Sequence, residues 1–327
     1  MTGLGVAHLT ALQLAPARLV REARHAGFSA VGLRLHPVMA GALAYPVAPG
    51  SQAMRELRAV LAGEGVRVTD IEFVSLTAQT RVADYQALLA AGAELGAVSL
   101  TVSGDDEDVA RLTGNFAALC EMARGHGLRV DLEFMRWRPV ATLQQACAVV
   151  TGAGQANSGV LVDALHLFRS GGQVADIGAV DPHLLRAVQL CDAPMLAPAE
   201  ALIIPEAREG RLLPGEGQLP LATLLAALPG DVEISVEVPC AGLPAEQRLQ
   251  AAAQVTHAWL HGRRPVSPAV QVAGHCRSGT TAITSISISH SAWANPATTS
   301  PVEIGNTPFS HLPTSLYTGS RKRGSVI

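Results

Sequence analysis

Gly159-Val160-Leu161-Val162-Asp163-Ala164-Leu165-His166 is an apolar run that closes on a carboxylate and passes at once into an Ala/Leu stretch. The run has the length and branching of a strand buried on both faces, and the Ala/Leu stretch reads as the first turn of a helix. A buried strand that leads straight into a helix belongs to a parallel sheet, because parallel neighbours need a crossover between them. The fold turns on how often this unit recurs.

It recurs in both directions. Comparable β-rich runs stand at Gly5–Leu9, Ala30–Leu35, Val66–Val74, Val98–Val102, Leu128–Phe134, Leu185–Leu190 and Val232–Val238. Between most of them lie Ala/Leu/Arg-rich stretches of helical spacing: Pro16–His25, Gln52–Gly63, Val82–Leu95, Asp108–His126 and Leu143–Thr151. Several helix-to-strand joints carry Gly, as at Gly27, Gly65 and Gly127, where a chain leaving a helix takes positive φ. Eight units repeating at roughly 30 residues predict a closed α/β (β/α)8 TIM barrel as a single domain over residues 1–264. No GxGxxG turn comes after the first run, which argues against a dinucleotide-binding open sheet. After the seventh strand, Asp192–Gln218 reads as a long Pro-containing loop, and loops of that length in a compact domain are usually functional. Residues 265–327 change to a Ser/Thr/Pro-rich texture and are expected to form a disordered or loosely packed tail.

Composition narrows the chemistry. Hydrophobic residues make up 48% of the chain and charged residues 16%, enough apolar material for a large core. A net charge of −3 gives no basic surface for nucleic acid. The single Lys is Lys322, so Schiff-base chemistry within the body of the chain is excluded. Five cysteines form no CxxC pair, a pattern that suits free thiols in a reducing compartment. With no signal-peptide texture at the start and no membrane-length apolar run, a cytoplasmic location is expected.

In such a barrel the polar residues that close the strands line the site. Strand five ends at Glu133, strand six at Asp163, strand seven carries Gln189 and strand eight carries Glu237. Carboxylates at buried strand ends are costly unless something neutralises them. Each acid could pair with an Arg or cap a helix. Four oxygen-bearing side chains at consecutive strand ends instead favour a shared divalent cation, Mn²⁺, Mg²⁺ or Co²⁺. His166, three residues past Asp163, faces the same opening and is suited to a substrate hydrogen bond or proton transfer. In the seventh loop, Arg211 precedes a turn fixed by Pro214, Gly215 and Gly217 and could swing over the mouth to hold a substrate oxygen.

The set Glu133, Asp163-x-x-His166, Gln189 within Gln189-Leu190-Cys191-Asp192-Ala193-Pro194, Arg211-x-x-Pro214-Gly215-x-Gly217 and Glu237 resembles the xylose isomerase-like barrel superfamily, sugar phosphate isomerase/epimerase group. The resemblance covers roughly residues 5–262. It implies that Glu133, Asp163, Gln189 and Glu237 bind one divalent metal, that His166 and Arg211 contact substrate, and that Glu133, Glu237 and His166 are catalytic. The implied activity is that of a sugar isomerase or epimerase working by proton abstraction next to a metal-bound carbonyl. Gln at the third ligand, where ketose epimerases usually carry His, resembles instead the dehydratases of the 3-dehydroshikimate or inosose type. A non-catalytic ligand-binding barrel is the third reading. DNA-repair barrels of the endonuclease IV type need histidines that are scarce at these strand ends. The implied partner is a small sugar or cyclic polyol, with no nucleic acid and no membrane, and a homo-oligomer is compatible. The second strand departs from the pattern, ending in Gly32-Leu33-Arg34-Leu35-His36 where many relatives place a Glu. His8, His36 and Glu72, from the first three strands, are expected to line the pocket in mainly structural roles.

Overall fold

The computed structural model describes residues 3–262. The expectation of a disordered or loosely packed tail over 265–327 lies outside the described residues. In chain order the elements are β1 (Gly5–Val6), α1 (Pro16–Ala26), β2 (Ala30–Arg34), α2 (Gln52–Glu64), β3 (Arg67–Thr77), α3 (Gln86–Glu94), β4 (Ser99–Asp105), α4 (Val109–Arg124) and β5 (Arg129–Glu133). They continue with α5 (Leu143–Ala153), β6 (Ser158–Asp163), α6 (Ala164–Arg169), α7 (Val174–Gly178), β7 (Leu185–Leu190), α8 (Ile203–Glu209), α9 (Leu221–Ala227), β8 (Glu233–Val236) and α10 (Ala245–Leu260). All eight strands are parallel and close in sequence order, β1 pairing with β8 through Gly5↔Ser235 and Val6↔Val236. This is the expected (β/α)8 barrel.

The helices start and stop where local chemistry dictates. Ser51 Oγ accepts the Met54 N–H at 3.1 Å to open α2, and Asp108 accepts the Arg111 N–H at 3.0 Å to open α4. Thr142 and Gln145 form a reciprocal capping box at α5. Gly27, at φ 110°, ends α1 in the left-handed region, where a Cβ is penalised. Val20, Ala23 and Leu19 of α1 and Leu112, Phe116 and Leu119 of α4 are buried in the apolar layer between helices and barrel. The expected loop after β7 is interrupted by α8, a short helix over Ile203–Glu209.

At the strand starts the barrel interior holds an ionic layer rather than an apolar plug. Arg129 donates to both oxygens of the fully buried Asp131 at 2.7 Å, and Arg67 pairs with Glu233 at 2.7 Å. Asp70 is buried beside them, accepting from Thr69 and Thr101, and burial pushes its carboxyl up to about 7. A Cβ on Gly32 would lie 2.8 Å from Asp70 Oδ1, so only Gly leaves room for this acid. Polar structure at this end of a barrel serves stability; the chemistry belongs to the other end.

Cys120, Cys147 and Cys191 are free thiols. Cys240 is disulfide-bonded, so the expectation of free thiols throughout does not hold there. Among the described residues no helix is long and apolar enough to cross a membrane.

Candidate active site

The four expected ligands stand at the ends of strands β5 to β8, and two of them, Glu133 and Asp163, come together with His166. Glu133 closes β5, Asp163 closes β6, Gln189 lies in β7, and Glu237 stands directly after the last residue of β8, its N–H held by Leu190 O at 3.0 Å. All four side chains are buried. Glu133, Asp163 and His166 come closest, each offering a ligand atom within 4.8 Å of the others. Glu237 is outside that triad, because its carboxylate is turned to Arg211, with Oε2 at 3.1 Å from Nη2.

Arg211 occupies a different place from the one its loop suggested. Instead of standing over the mouth, it is buried among the acids, and every nitrogen of its guanidinium has a protein partner. Nε donates to Ala207 O at 2.8 Å; Nη1 meets Asp163 Oδ2 at 2.5 Å and also approaches Glu237 O and Cys191 Sγ; Nη2 takes Glu237. The chain is brought in by a two-way backbone bridge, Asp192 with Leu212 at 2.8 Å in each direction. Asp192 then ties the next turn, accepting from Gly215 N at 2.9 Å and Leu219 N at 3.0 Å as well as from its neighbour Ala193 N. Gly217 passes so close that a Cβ would lie 2.3 Å from Asp192 Oδ1. The Gln-x-x-Asp-Ala-Pro and Arg-x-x-Pro-Gly-x-Gly runs are therefore two halves of one latch.

Asp163 does three things at once. It caps α6 by accepting the His166 N–H at 2.9 Å, pairs with Arg211, and presents its carboxylate to the triad. Burial alone would raise its pKa, but Arg211 and the His166 contacts outweigh burial and hold the carboxyl below its ordinary value. The other two acids go the opposite way. Burial, with the charges of Glu237 and Asp163 added, raises Glu133 well above the usual carboxylate range. Burial likewise pushes Glu237 up to about 8 despite its Arg211 partner. Burial drives His166 down to about 4, so the ring is neutral near pH 7. The 3.7 Å approach of His166 Nε2 to Glu133 is then a close contact of a neutral ring, not a salt bridge. Trp137 meets that ring edge-on, with centroids 5.1 Å apart.

Two buried polar atoms here have no partner: Gln189 Oε1 and His166 Nδ1. A buried amide oxygen with no protein partner, on the strand whose Gln189 registers with Asp163, has the chemistry of an oxygen ligand to a hard cation. The cluster of Glu133, Asp163 and His166 could hold a metal ion, each residue offering one ligand atom.

Of the residues expected to line the pocket from the first strands, His8 is structural: its Nδ1 accepts the Arg34 N–H at 2.8 Å and Nε2 meets Leu14 O at 2.9 Å. His36 contacts Phe73 O through Nδ1 at 3.1 Å. Arg34 and Glu72, partners in the β2–β3 register, are both buried and face each other at 3.3 Å.

The family model described as Xylose isomerase-like TIM barrel matches residues 20–259. A 3-dehydroshikimate dehydratase of Pseudomonas aeruginosa is 34% identical over 137 residues, which cover 41% of this chain and 21% of that protein. The alignment thus spans about a fifth of the curated relative's length. Among solved structures, the IOLI protein with a bound zinc atom superposes with a TM-score of 0.64 at 18% identity, covering 78% of this chain and 96% of that one. D-psicose 3-epimerase in the presence of D-fructose superposes with a TM-score of 0.59 at 14% identity, covering 79% and 99%. At these identities the two structures share the fold.

Proposed function

Since the chain belongs to the xylose isomerase-like TIM barrel family, we propose that it is a divalent-metal-dependent isomerase or epimerase acting on a small polyhydroxylated carbonyl compound. The observation that carries this reading is the buried cluster of Glu133, Asp163 and His166, with Glu237 linked to Asp163 through Arg211 and Gln189 Oε1 buried without a partner. Glu133, Asp163, Gln189 and Glu237 would hold Mn²⁺, Mg²⁺ or Co²⁺, which when bound polarises a carbonyl and lowers the cost of removing the neighbouring proton. Glu133 and Glu237 are the acid/base pair. They approach the centre from non-adjacent strands, β5 and the end of β8. Burial raises both carboxyls, which brings them towards the operating pH where a carboxyl gives and takes protons efficiently. His166, neutral and with Nδ1 unpartnered, is placed to hydrogen-bond a substrate oxygen without adding charge. Return of the proton to the opposite face gives an epimer, and return to the adjacent carbon gives an aldose–ketose isomer.

A second reading is favoured by one observation, the 34% identity to a 3-dehydroshikimate dehydratase. The same proton removal with subsequent loss of a β-hydroxyl makes the site a lyase. A time course by NMR in D₂O, with Mn²⁺ removed before the spectra are recorded, tests both. With candidate ketoses and cyclic polyols, proton exchange without loss of water supports the isomerase. An olefinic product signal supports the lyase. Absence of exchange with every candidate, in a protein that holds metal, would leave a ligand-binding barrel.

A further inference from the structure

Two buried arginines, Arg211 and Arg34, differ in how far their donors are used. Arg211 has a protein partner on each nitrogen, so it holds the acids in place and has little left for a ligand. Arg34, at the end of β2, is the reverse. Its relative exposure is 6%, yet among the described residues its side chain has a single ionic contact, Nη2 to Glu72 Oε2 at 3.3 Å, and Nε has no partner. Glu72 is 2% exposed, and its second oxygen, Oε1, has no partner either. The guanidinium lies 5.7 Å from the Phe73 ring centroid. The charges of Glu237 and Glu133 act on it, so the pair lies near the proposed acid/base groups.

A buried guanidinium with one long ion pair, beside a carboxylate with a free oxygen, is expensive to maintain for packing alone. Its backbone is fixed on both sides, by His8 Nδ1 on the N–H and by Tyr45 N–H on the carbonyl at 2.8 Å, so the side chain is presented from a rigid strand end. The unused donors form a planar fork that suits a planar anion, and a hydroxyl would satisfy only one of them. A doubly charged phosphate would meet the nearby acids Glu72, Glu133 and Glu237 with a single free arginine to offset it. A carboxylate brings one charge and the matching plane. Glu72 Oε1 is an acceptor and calls for a hydroxyl donor next to that carboxylate.

We propose that Arg34 and Glu72 are the specificity pair of this site, Arg34 taking a substrate carboxylate and Glu72 an adjacent hydroxyl, so that the substrate is a polyhydroxylated carboxylic acid rather than a neutral sugar. The inference rests on the proposed function, since it places that carboxylate relative to the metal-binding acids.

The test is calorimetric titration of the Mn²⁺-loaded full chain with two matched pairs: 2-keto-D-gluconate against D-fructose, and quinate against its methyl ester. In wild type at least one acid binds tenfold or more tightly than its neutral mate. Arg34→Gln leaves Glu72 buried without a partner and can fail to fold. The double variant Arg34→Gln, Glu72→Gln keeps a neutral pair of similar size, and it is expected to retain Mn²⁺ affinity within a few-fold while losing the acid preference. Equal binding within both pairs, no binding of either acid by Mn²⁺-loaded wild type, or an acid preference that survives in the double variant overturns the proposal while the proposed function stands. Wild type that takes up no Mn²⁺ removes the proposed function and this inference with it.

Discussion

Arg211→Met removes the guanidinium that touches both Asp163 and Glu237 and keeps most of the length of the side chain. Breaking a buried ion pair from one side costs about 3–5 kcal/mol, because the remaining charge is left without compensation. Two acids lose their partner here, but the costs are unequal. Glu237, already pushed up to about 8, escapes near pH 7 by staying protonated. Asp163 is held ionised against burial by Arg211 and the His166 contacts, so the loss falls mainly on it. The expected total is therefore about 3–5 kcal/mol rather than twice that. In a domain of this size each kcal/mol lowers Tm by roughly 2–4 °C, giving a fall on the order of 10 °C. Urea unfolding monitored by circular dichroism, in EDTA and again with excess Mn²⁺, measures it. Because a bound cation replaces the missing charge, Mn²⁺ should stabilise the variant by more than it stabilises wild type. A metal-free variant within about 1 kcal/mol of wild type would refute the charge argument, since a surface arginine contributes no more than that. Equal stabilisation of both proteins by Mn²⁺ would refute the claim that Arg211 and the metal act on the same acids.

Stability without metal should also depend on pH in a definite sense. Glu133 and Glu237 bind their protons more tightly folded than unfolded, so their contribution is intact below about pH 4.5 and is lost as pH rises towards the value of about 8 that burial gives Glu237. Asp163 works in the opposite direction, losing its contribution only as pH falls through its lowered value. Unfolding in EDTA at pH 5.5 and 8.5 should show the higher midpoint at 5.5, and Mn²⁺ should narrow the difference; a flat profile in EDTA would contradict the shifts. At the other end of the barrel, Gly32→Ala forces a Cβ against Asp70 and should cost about 1–3 kcal/mol without changing Mn²⁺ affinity, both readable on one purified variant. Asp192→Ala removes the acceptor for three N–H groups and should expose the segment after β7 to limited proteolysis well before the barrel unfolds; unchanged cleavage would show that the backbone bridge suffices.

The barrel is legible in the sequence because each of its strands is an apolar run buried on both faces, a pattern that survives without any knowledge of partners. Boundaries differ where pairing extends a strand beyond its apolar part: β3 runs on through Ser75, Leu76 and Thr77 because β4 continues alongside it to Asp105. The proposed ligand residues are legible by position, as polar groups closing apolar runs. What Arg211 does is not, since its partners lie on β6 and just beyond β8 and nothing local to the loop announces that it turns inwards. Arg34 lies within a strand end that departs from many relatives, and Glu72 stands out only as a pocket residue. Their pairing depends on the β2–β3 register, which brings them side by side across two strands.

The latch between Asp192 and Leu212 separates two jobs that loops usually mix. Its two hydrogen bonds fix the chain on both sides of the excursion, and Arg169 braces the interior of the excursion by reaching Pro194 O and both oxygens of Glu206. Between those fixed points the stretch around Leu196 and Leu202 stands out in solvent, with Leu196 85% exposed. Lengthening a loop whose ends are already joined costs little closure entropy, about 0.6 kcal/mol per doubling. The crest of this excursion is therefore a graftable segment: new residues inserted there could reshape what reaches the mouth while the arginine beneath keeps its two acids.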